Sequence, residues 1–374
     1  MATEVLPDDR ALRSGRRERA LAQMEAHDLD VLVLGRGANV RYLSGARGLS
    51  NAGTHPFFPA CVVVRATGAI HLLSTWDEGI PDDIPHERLY PLSWNPVNYV
   101  TVLRGIEGTS TARRVGTDAL TPSIAELLSK VFPVAELVDG ELALRAARRI
   151  KTAEEVVALR EAIGVAEAAL AKAVTELRPG VTEAELSGVL LEAAAAGGVA
   201  TPSAQEVAWR TSREHHWRLV NGDGRIGAGD LVAFTAGVVA GGYIGEVGRT
   251  WPVDGGDLSA IRALYGRWDA LWALLSDACR PGAQASDLLA AYDTAGEPLP
   301  PMPVARGLGL GFDPPVVASG LPATAAEERL EVGMVLSVTG YVWQEGVGAV
   351  LGREAVLITP DGPELLTSSP LWRP

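Results

Sequence analysis

The sequence predicts an α/β unit followed by a second domain, α+β in character, built from two copies of one helix–helix–hairpin segment. Strand and helix signals alternate across residues 10–140, which suits a mixed sheet flanked by helices. Residues Gly229 to Val253 read as a β-hairpin, because the β-rich run Leu231 to Thr235 meets the pair Gly241-Gly242 and a second run leaves through Tyr243 to Trp251. Arg178-Pro-Gly180 and Gly229-Asp-Leu-Val recur as Arg280-Pro-Gly282 and Gly333-Met-Val-Leu, each roughly 100 residues further on, as a duplicated half-domain would require. The domains are placed at 1–140 and 141–374.

In chain order, Arg16 to His27 has helical spacing, and Asp30 to Leu34 is a short β run. Further β runs stand at Ala60–Val64, Ile70–Ser74 and Arg114–Thr117, before a helix from Ser123 to Lys130. Thr152-Ala-Glu-Glu155 and Thr182-Glu-Ala-Glu185 are capping boxes, in which the threonine hydroxyl and the glutamate carboxylate satisfy free N–H groups at a helix start. The first opens a helix to Leu177, where Arg178-Pro-Gly180 stops it; the second opens a helix ending near Gly197-Gly198.

Composition excludes several functions. With 47% hydrophobic and 21% charged residues the chain can bury sizeable cores. A net charge of −13 opposes a nucleic-acid partner, since phosphate binding rests on Lys and Arg releasing counterions. No apolar run is long enough to span a membrane, the N-terminal residues hold no apolar signal segment, and the two cysteines, Cys61 and Cys279, are too few for a disulfide framework. A cytoplasmic protein is expected. Gly307-Leu-Gly-Leu-Gly311 lacks dinucleotide-loop spacing, so no cofactor is expected from it.

Over 25 ungapped positions the hairpin stretch resembles the aminopeptidase P, prolidase and creatinase superfamily (peptidase family M24), whose catalytic fold is the pita bread. The family pattern is G-D-L-V-x-x-D-x-G, then G-Y-x-x-D-x-T-R-T. Gly229, Asp230, Leu231, Val232, Gly237, Gly242, Tyr243, Arg249 and Thr250 match it, while Thr235 and Glu246 stand where the family has metal-binding aspartates. Gly333 to Thr359 is similar to a second family stretch, with Thr339 and Arg353 at its two ligand glutamates. Ala305 to Leu310 followed by Asp313-Pro-Pro315 resembles a third, with Arg306 at the ligand histidine. Asn39-Val-Arg-Tyr-Leu-Ser-Gly45 resembles a motif of the family's N-terminal domain. The resemblance implies a creatinase-like N-terminal domain followed by a pseudo-twofold pita-bread domain, with Thr235 and Thr339 equivalent in one central cavity. It also implies a homodimer, in which Arg41, Arg47, His55, Phe57 and Phe58 belong to the region that reaches a partner's active site.

The five positions matching metal ligands therefore read Thr235, Glu246, Arg306, Thr339 and Arg353, one carboxylate against two guanidiniums that stay protonated. Two divalent ions have no donor set there. All six histidines lie at or before His216, so no shift of register restores an imidazole to the third stretch. Arg306 and Arg353 would instead hold an anionic substrate or a developing oxyanion. Glu246 would act as general acid or base, its pKa raised by burial and lowered by the arginines. The other reading of these three residues is a structural ion-pair network plugging a vestigial site.

The family's catalytic histidine position falls on Arg218 by strict count, and His216 or His215 takes the role if Asn221 to Gly224 carries an insertion. Trp209, Trp217, Trp251, Tyr341 and Trp343 flank these motifs, either as ordinary core or as a surface for an apolar or cationic ligand. Phe57 aligns with creatinase's substrate-carboxylate arginine, which speaks against creatine. The expected function is a metal-independent C–N hydrolase or lyase acting on a small carboxylated, non-peptide or modified amino-acid substrate. The alternatives are a non-catalytic binding module and an Xaa-Pro metallopeptidase.

Overall fold

A computed structural model describes residues 9–46, 60–74, 79–91, 96–118, 121–199, 203, 208–217, 224–320 and 328–373. The chain divides into two compact units between Arg148 and Arg149 rather than at Gly140.

The first unit runs α1 (Asp9–Ala26), β1 (Val31–Leu34), α2 (Gly37–Ser44), β2 (Cys61–Val64), β3 (Ala69–Leu73), β4 (Leu89–Tyr90), α3 (Pro96–Gly105), β5 (Arg114–Thr117), α4 (Pro122–Val131), β6 (Glu136–Asp139) and α5 (Glu141–Arg149). Its sheet has the order β4-β3-β2-β1-β5-β6, with β1 antiparallel to β2 and parallel to β5. Val31, Val33, Val62 and Val64 pack on α3 and α4 through Leu103, Ile124 and Leu128. Leu32 and Leu34 are also buried, so the central strand is covered on both faces and reads as the continuous apolar run seen in the sequence. Buried Asn39 in α2 donates to Asp118 at 2.8 Å and to Glu141 at 2.7 Å, which joins the ends of β1, β5 and β6.

The second unit runs α6 (Ala153–Thr175), α7 (Glu183–Ala196), β7 (Ala208–Arg210), β8 (Leu231–Ala240), β9 (Tyr243–Pro252), α8 (Leu258–Ala278), α9 (Asp287–Ala295), β10 (Ala305–Leu308), β11 (Phe312–Val317), β12 (Val335–Gln344), β13 (Gly348–Thr359) and β14 (Gly362–Leu365). Both capping boxes form, with the Glu155 and Glu185 amides donating to Thr152 and Thr182 at 3.2 and 3.1 Å. Glu155 also accepts from the Tyr243 hydroxyl at 3.0 Å, so the cap of α6 pins the first residue of β9. Gly241 and Gly242 turn the first hairpin with φ of 58° and 93°, a region closed to most side chains.

The sheet order β11-β10-β12-β13-β9-β8-β7 carries the expected twofold relation. The second strands of the two hairpins, β9 and β13, meet in the middle, each flanked outward by its own first strand. They touch in register at one pair, Gly248 opposite Arg353. A Cβ on Gly248 would lie 2.7 Å from the Arg353 Cβ, so only glycine allows this crossing. One sheet face packs on helices: β8 and β9 give Val232, Phe234, Ala236 and Val247 to α6 and α7. On the other hairpin, Leu336, Val338, Val342 and Val350 pack on α8 and α9. The opposite face carries Thr235, Gly248, Thr339 and Arg353.

Arg249 locks the crossing from the helix side. It is 2% exposed. It donates to the Gly248 carbonyl at 2.7 Å and the Arg353 carbonyl at 3.1 Å, to the Glu354 carboxylate at 2.9 Å, and to the Ser369 carbonyl at 2.9 and 2.7 Å. Beyond it, Gly340 and Gly352 pair under the Trp268 indole, whose N–H donates to the Gly340 carbonyl at 3.0 Å. A Cβ at Gly352 would fall 2.1 Å from the Trp268 ring. Gly352→Ala is expected to cost about 1–3 kcal/mol by overpacking in urea unfolding. Gly266→Ala in α8, where an added Cβ meets nothing within 4 Å, serves as the neutral or stabilising control. Equal stability of the two variants would refute the close packing.

Candidate active site

Strand alternation selects what faces the concavity. Residues directly opposite one another on paired strands share a face, so Thr339, Arg353, Gly248 and Thr235 form one row across β12, β13, β9 and β8. Glu246 lies two residues from Gly248 on the same face, opposite Gly237. Arg306 on β10 stands opposite Ser337 on β12. All five residues that match metal-ligand positions thus lie on one face of the sheet.

Three of them meet. One Arg306 terminal nitrogen donates to both Glu246 oxygens, at 2.6 and 2.7 Å. Ser337 donates to Glu246 at 3.0 Å, and Arg353 lies 3.6 Å from the same carboxylate. Arg353 also donates to the Thr339 hydroxyl at 3.1 Å and reaches the Met302 sulfur at 3.6 Å. Thr235 is buried in the row. Burial opposes ionisation of Glu246, but the charges of Arg353 and Arg306 and the hydrogen bonds from Arg306 and Ser337 outweigh it. Its carboxyl is held below the usual value. Burial and the nearby Arg306 charge lower Arg353 from the ordinary guanidinium value, with Glu246 opposing.

The lowered pKa leaves Glu246 ionised at neutral pH, which fits the base rather than the acid form of the expected role, and in the fold it is also counter-ion to two guanidiniums. Among the described contacts the cluster joins one carboxylate to two guanidiniums in a largely buried place.

A second group lies further along β12. Ser337, Thr339, Tyr341 and Trp343 alternate onto the cavity face, and Tyr341 joins Trp209, Ala233, Ala349 and Leu351 in an apolar cluster against Trp217 and Trp343. His216 stands edge-on to Tyr341 and Trp343, with centroids 5.3 and 6.2 Å apart, and Trp217 lies 4.8 Å from Tyr341. The Tyr341 hydroxyl donates to the His216 carbonyl, and the Trp343 indole donates to the Ser212 carbonyl at 2.7 Å, so β12 side chains hold the 212–216 turn. The His216 Nε2 makes no hydrogen bond to a described residue. Burial lowers the imidazole pKa, with Glu297 pulling the other way, which keeps the ring neutral at neutral pH.

Other expected site residues fall elsewhere. His215 lies beside Glu214 with its side chain 51% exposed. Trp251 packs against Phe234 on the helix side of the sheet and is no part of the cavity. Arg218 and Phe57 lie outside the described residues, as do Arg47, His55 and Phe58. Ser337 and Met302 were not anticipated. The alternation Ser337-Val-Thr339-Gly-Tyr341-Val-Trp343 carried the signal for Ser337, while Met302 had none.

The donor set does not suit a pair of divalent ions. The place where carboxylates and an imidazole would converge on metal holds two guanidiniums, which repel cations, and one carboxylate already bonded to both. Among the described residues no group of three or more His, Cys, Asp or Glu could hold a metal ion.

Comparison with known proteins gives the context. Residues 157–360 match the family model for metallopeptidase family M24, and residues 16–150 match that for the creatinase/prolidase N-terminal domain. An uncharacterized peptidase of Bacillus subtilis, YqhT, is 27% identical over 252 residues, 65% of this chain and 69% of that protein. The prolidase of Pyrococcus horikoshii shares the fold with a TM-score of 0.77 at 19% identity, covering 95% of this chain and 99% of that one. Dipeptidase PepE of Mycobacterium ulcerans has a TM-score of 0.73 at 22% identity, covering 97% of each chain.

Because Glu246 is ionised in the fold at a pKa below its unfolded value, its stabilisation is present above the unfolded value and lost as pH falls through the folded one. Glu246→Gln leaves two buried guanidiniums without their counter-ion and is expected to cost about 3–5 kcal/mol at pH 7. In denaturant titrations the deficit should narrow as pH drops below about 4.3. A variant as stable as the parent at pH 7, or a gap that stays constant into acid, would overturn the assignment.

Proposed function

The chain belongs to metallopeptidase family M24, and we propose that within this family of hydrolases it acts without the metal pair, on a small carboxylated substrate. The observation that carries this reading is the exchange of metal-type donors for Arg306 and Arg353 around an ionised Glu246. Guanidinium donors in a setting of low dielectric suit a carboxylate or the oxyanion that develops when water adds to a carbonyl carbon. Arg306 is the member that solvent reaches, with 20% of its side chain exposed, so it would meet the substrate first.

The same reading gives proton transfer to His216. A neutral imidazole can take the proton of an attacking water and return it to the leaving nitrogen, so that water is added across a C–N bond. Glu246 holds the guanidiniums in place and Thr339 orients Arg353. Tyr341 and Trp217 would pack against the apolar part of the substrate.

A second reading, a non-catalytic binding module, is favoured by one observation. No hydrogen bond joins Glu246 to His216; each is engaged within its own group of side chains. A metal-dependent Xaa-Pro peptidase is favoured by the names of the similar proteins and opposed by the donor set.

Elemental analysis of purified protein, incubated with manganese, cobalt or zinc and then desalted, tests the proposal. Substoichiometric metal is expected. Retention of one or two ions per chain would sink the metal-independent reading and restore the peptidase.

A further inference from the structure

Three glycines fall within the five residues that follow Arg306, Gly307 to Gly311. The space beside two of them is filled from outside. A Cβ at Gly307 would lie 2.5 Å from the Asp313 carbonyl oxygen, and one at Gly309 would lie 2.8 Å from an Asp313 carboxylate oxygen and 3.3 Å from the Lys151 ammonium nitrogen. At Gly311 an added Cβ meets nothing within 4 Å. The loop is thus wrapped on the Lys151–Asp313 ion pair, whose charged atoms are 3.4 Å apart and whose side chains are 1% and 0% exposed.

The same loop joins the two members of the Arg306–Glu246 pair. β9 meets β13 in register at Gly248, while nearer the start of β9 the Gly309 carbonyl accepts from the Ile244 amide at 2.8 Å. Ile244 precedes Glu246 by two residues and Gly309 follows Arg306 by three, so the main-chain bond and the ion pair close one circuit. Between Arg306 and Gly307 the partner on β11 jumps from Val316 to Asp313. A register shift of this kind re-aims the side chain beside it, and that side chain is Arg306. Lys151 is itself fixed along the chain. Its amide donates to the Gly333 carbonyl at 2.8 Å, just ahead of β12, and Thr152, the cap of α6, follows it.

We propose that Lys151 is a positioning residue, which through Asp313 and the glycine loop sets Arg306 against Glu246 without itself meeting a substrate. A buried ammonium and a buried carboxylate are held in place by their mutual attraction, because separating them leaves charge in a medium that solvates it poorly. The pair therefore fixes the loop more firmly than apolar packing of the same size, and Arg306 inherits that fixity. The consequence for ligand binding rests on the anion-binding role proposed for Arg306; the positioning role does not.

Two alanine variants separate the pair from the loop. Neither Gly309 nor Gly311 has a positive φ, so alanine tests space alone. Gly309→Ala intrudes on the ion pair while keeping both charges, and Gly311→Ala alters the same loop where there is room. In residue-resolved hydrogen exchange of the full chain, the Ile244 amide of Gly309→Ala and of Lys151→Met is expected to exchange about tenfold faster relative to the Val253 amide, while Gly311→Ala behaves as the parent. A double-mutant cycle of Arg306→Met and Glu246→Gln reads the positioning directly. Its coupling, as a ratio of unfolding constants, should fall about tenfold in the Gly309→Ala background and hold in the Gly311→Ala background. If Gly309→Ala lowers stability yet leaves both the coupling and the Ile244 exchange unchanged, the ion pair is merely structural and the proposal is overturned. A Gly311→Ala variant that mimics Gly309→Ala overturns it too. The exchange measurement decides if Lys151→Met or a variant of the cycle fails to fold. Titration with N-acetylglycine tests the ligand step separately, with binding about tenfold weaker in Gly309→Ala expected. If the parent itself does not bind this probe, the anion reading falls, and exchange and coupling still judge the role of Lys151.

Discussion

The crossing of β9 and β13 is the constraint on which the second unit depends. Two hairpins from separate halves come within reach at Gly248 and Arg353, and no side chain fits on the glycine side. Ladder bonds between the hairpins are few there. The junction is held by Arg249, which spreads its donors over both crossing carbonyls, Glu354 and Ser369. Burying a guanidinium is expensive, and the cost is offset only when charge and hydrogen-bond capacity are both met. Here they are met by groups that also define the register. The row Thr339, Arg353, Gly248, Thr235 inherits its alignment from that lock.

On the opposite face of the sheet the same logic operates around Glu246. Glu246 is buried deeply enough that desolvation alone would raise its pKa, yet two guanidiniums and a hydroxyl reverse the sign. A carboxylate in that position is charged at neutral pH and held by Arg306 and Ser337. This suits an electrostatic framework better than a proton shuttle, and it moves the acid–base question to His216, whose environment favours the neutral ring.

Much of this was legible in the sequence. The hairpin turn at Gly241-Gly242, the two capping boxes and the repeated Arg-Pro-Gly tripeptides are local signals, and each appears where those residues place it. The meeting of Glu246 with Arg306 and Arg353 followed once the two halves were taken as equivalents in one sheet. Sequence reasoning was weaker where three-dimensional balance decides. It could not weigh burial against two arginines at Glu246, nor separate Trp251 on the helix side from Trp343 on the cavity side without a strand register. His215 and His216 are adjacent in sequence, but the second turns its ring toward Tyr341 while the first is largely exposed. Arg249 matched a motif, yet apart from the adjacent Gly248 carbonyl its acceptors lie in β13 and in the segment at Ser369, more than 100 residues away.

That separation bears on how the chain is made. The first hairpin can close as soon as it is synthesised, because its turn is local. Its central arginine then remains hydrated, because most of its acceptors have not yet been translated. The half-domain that emerges first thus carries a strand edge and a charged group that resist premature docking. The hydrogen bonds that fix the crossing are complete only when the later hairpin and the segment at Ser369 are both in place, because those two carry most of the Arg249 acceptors.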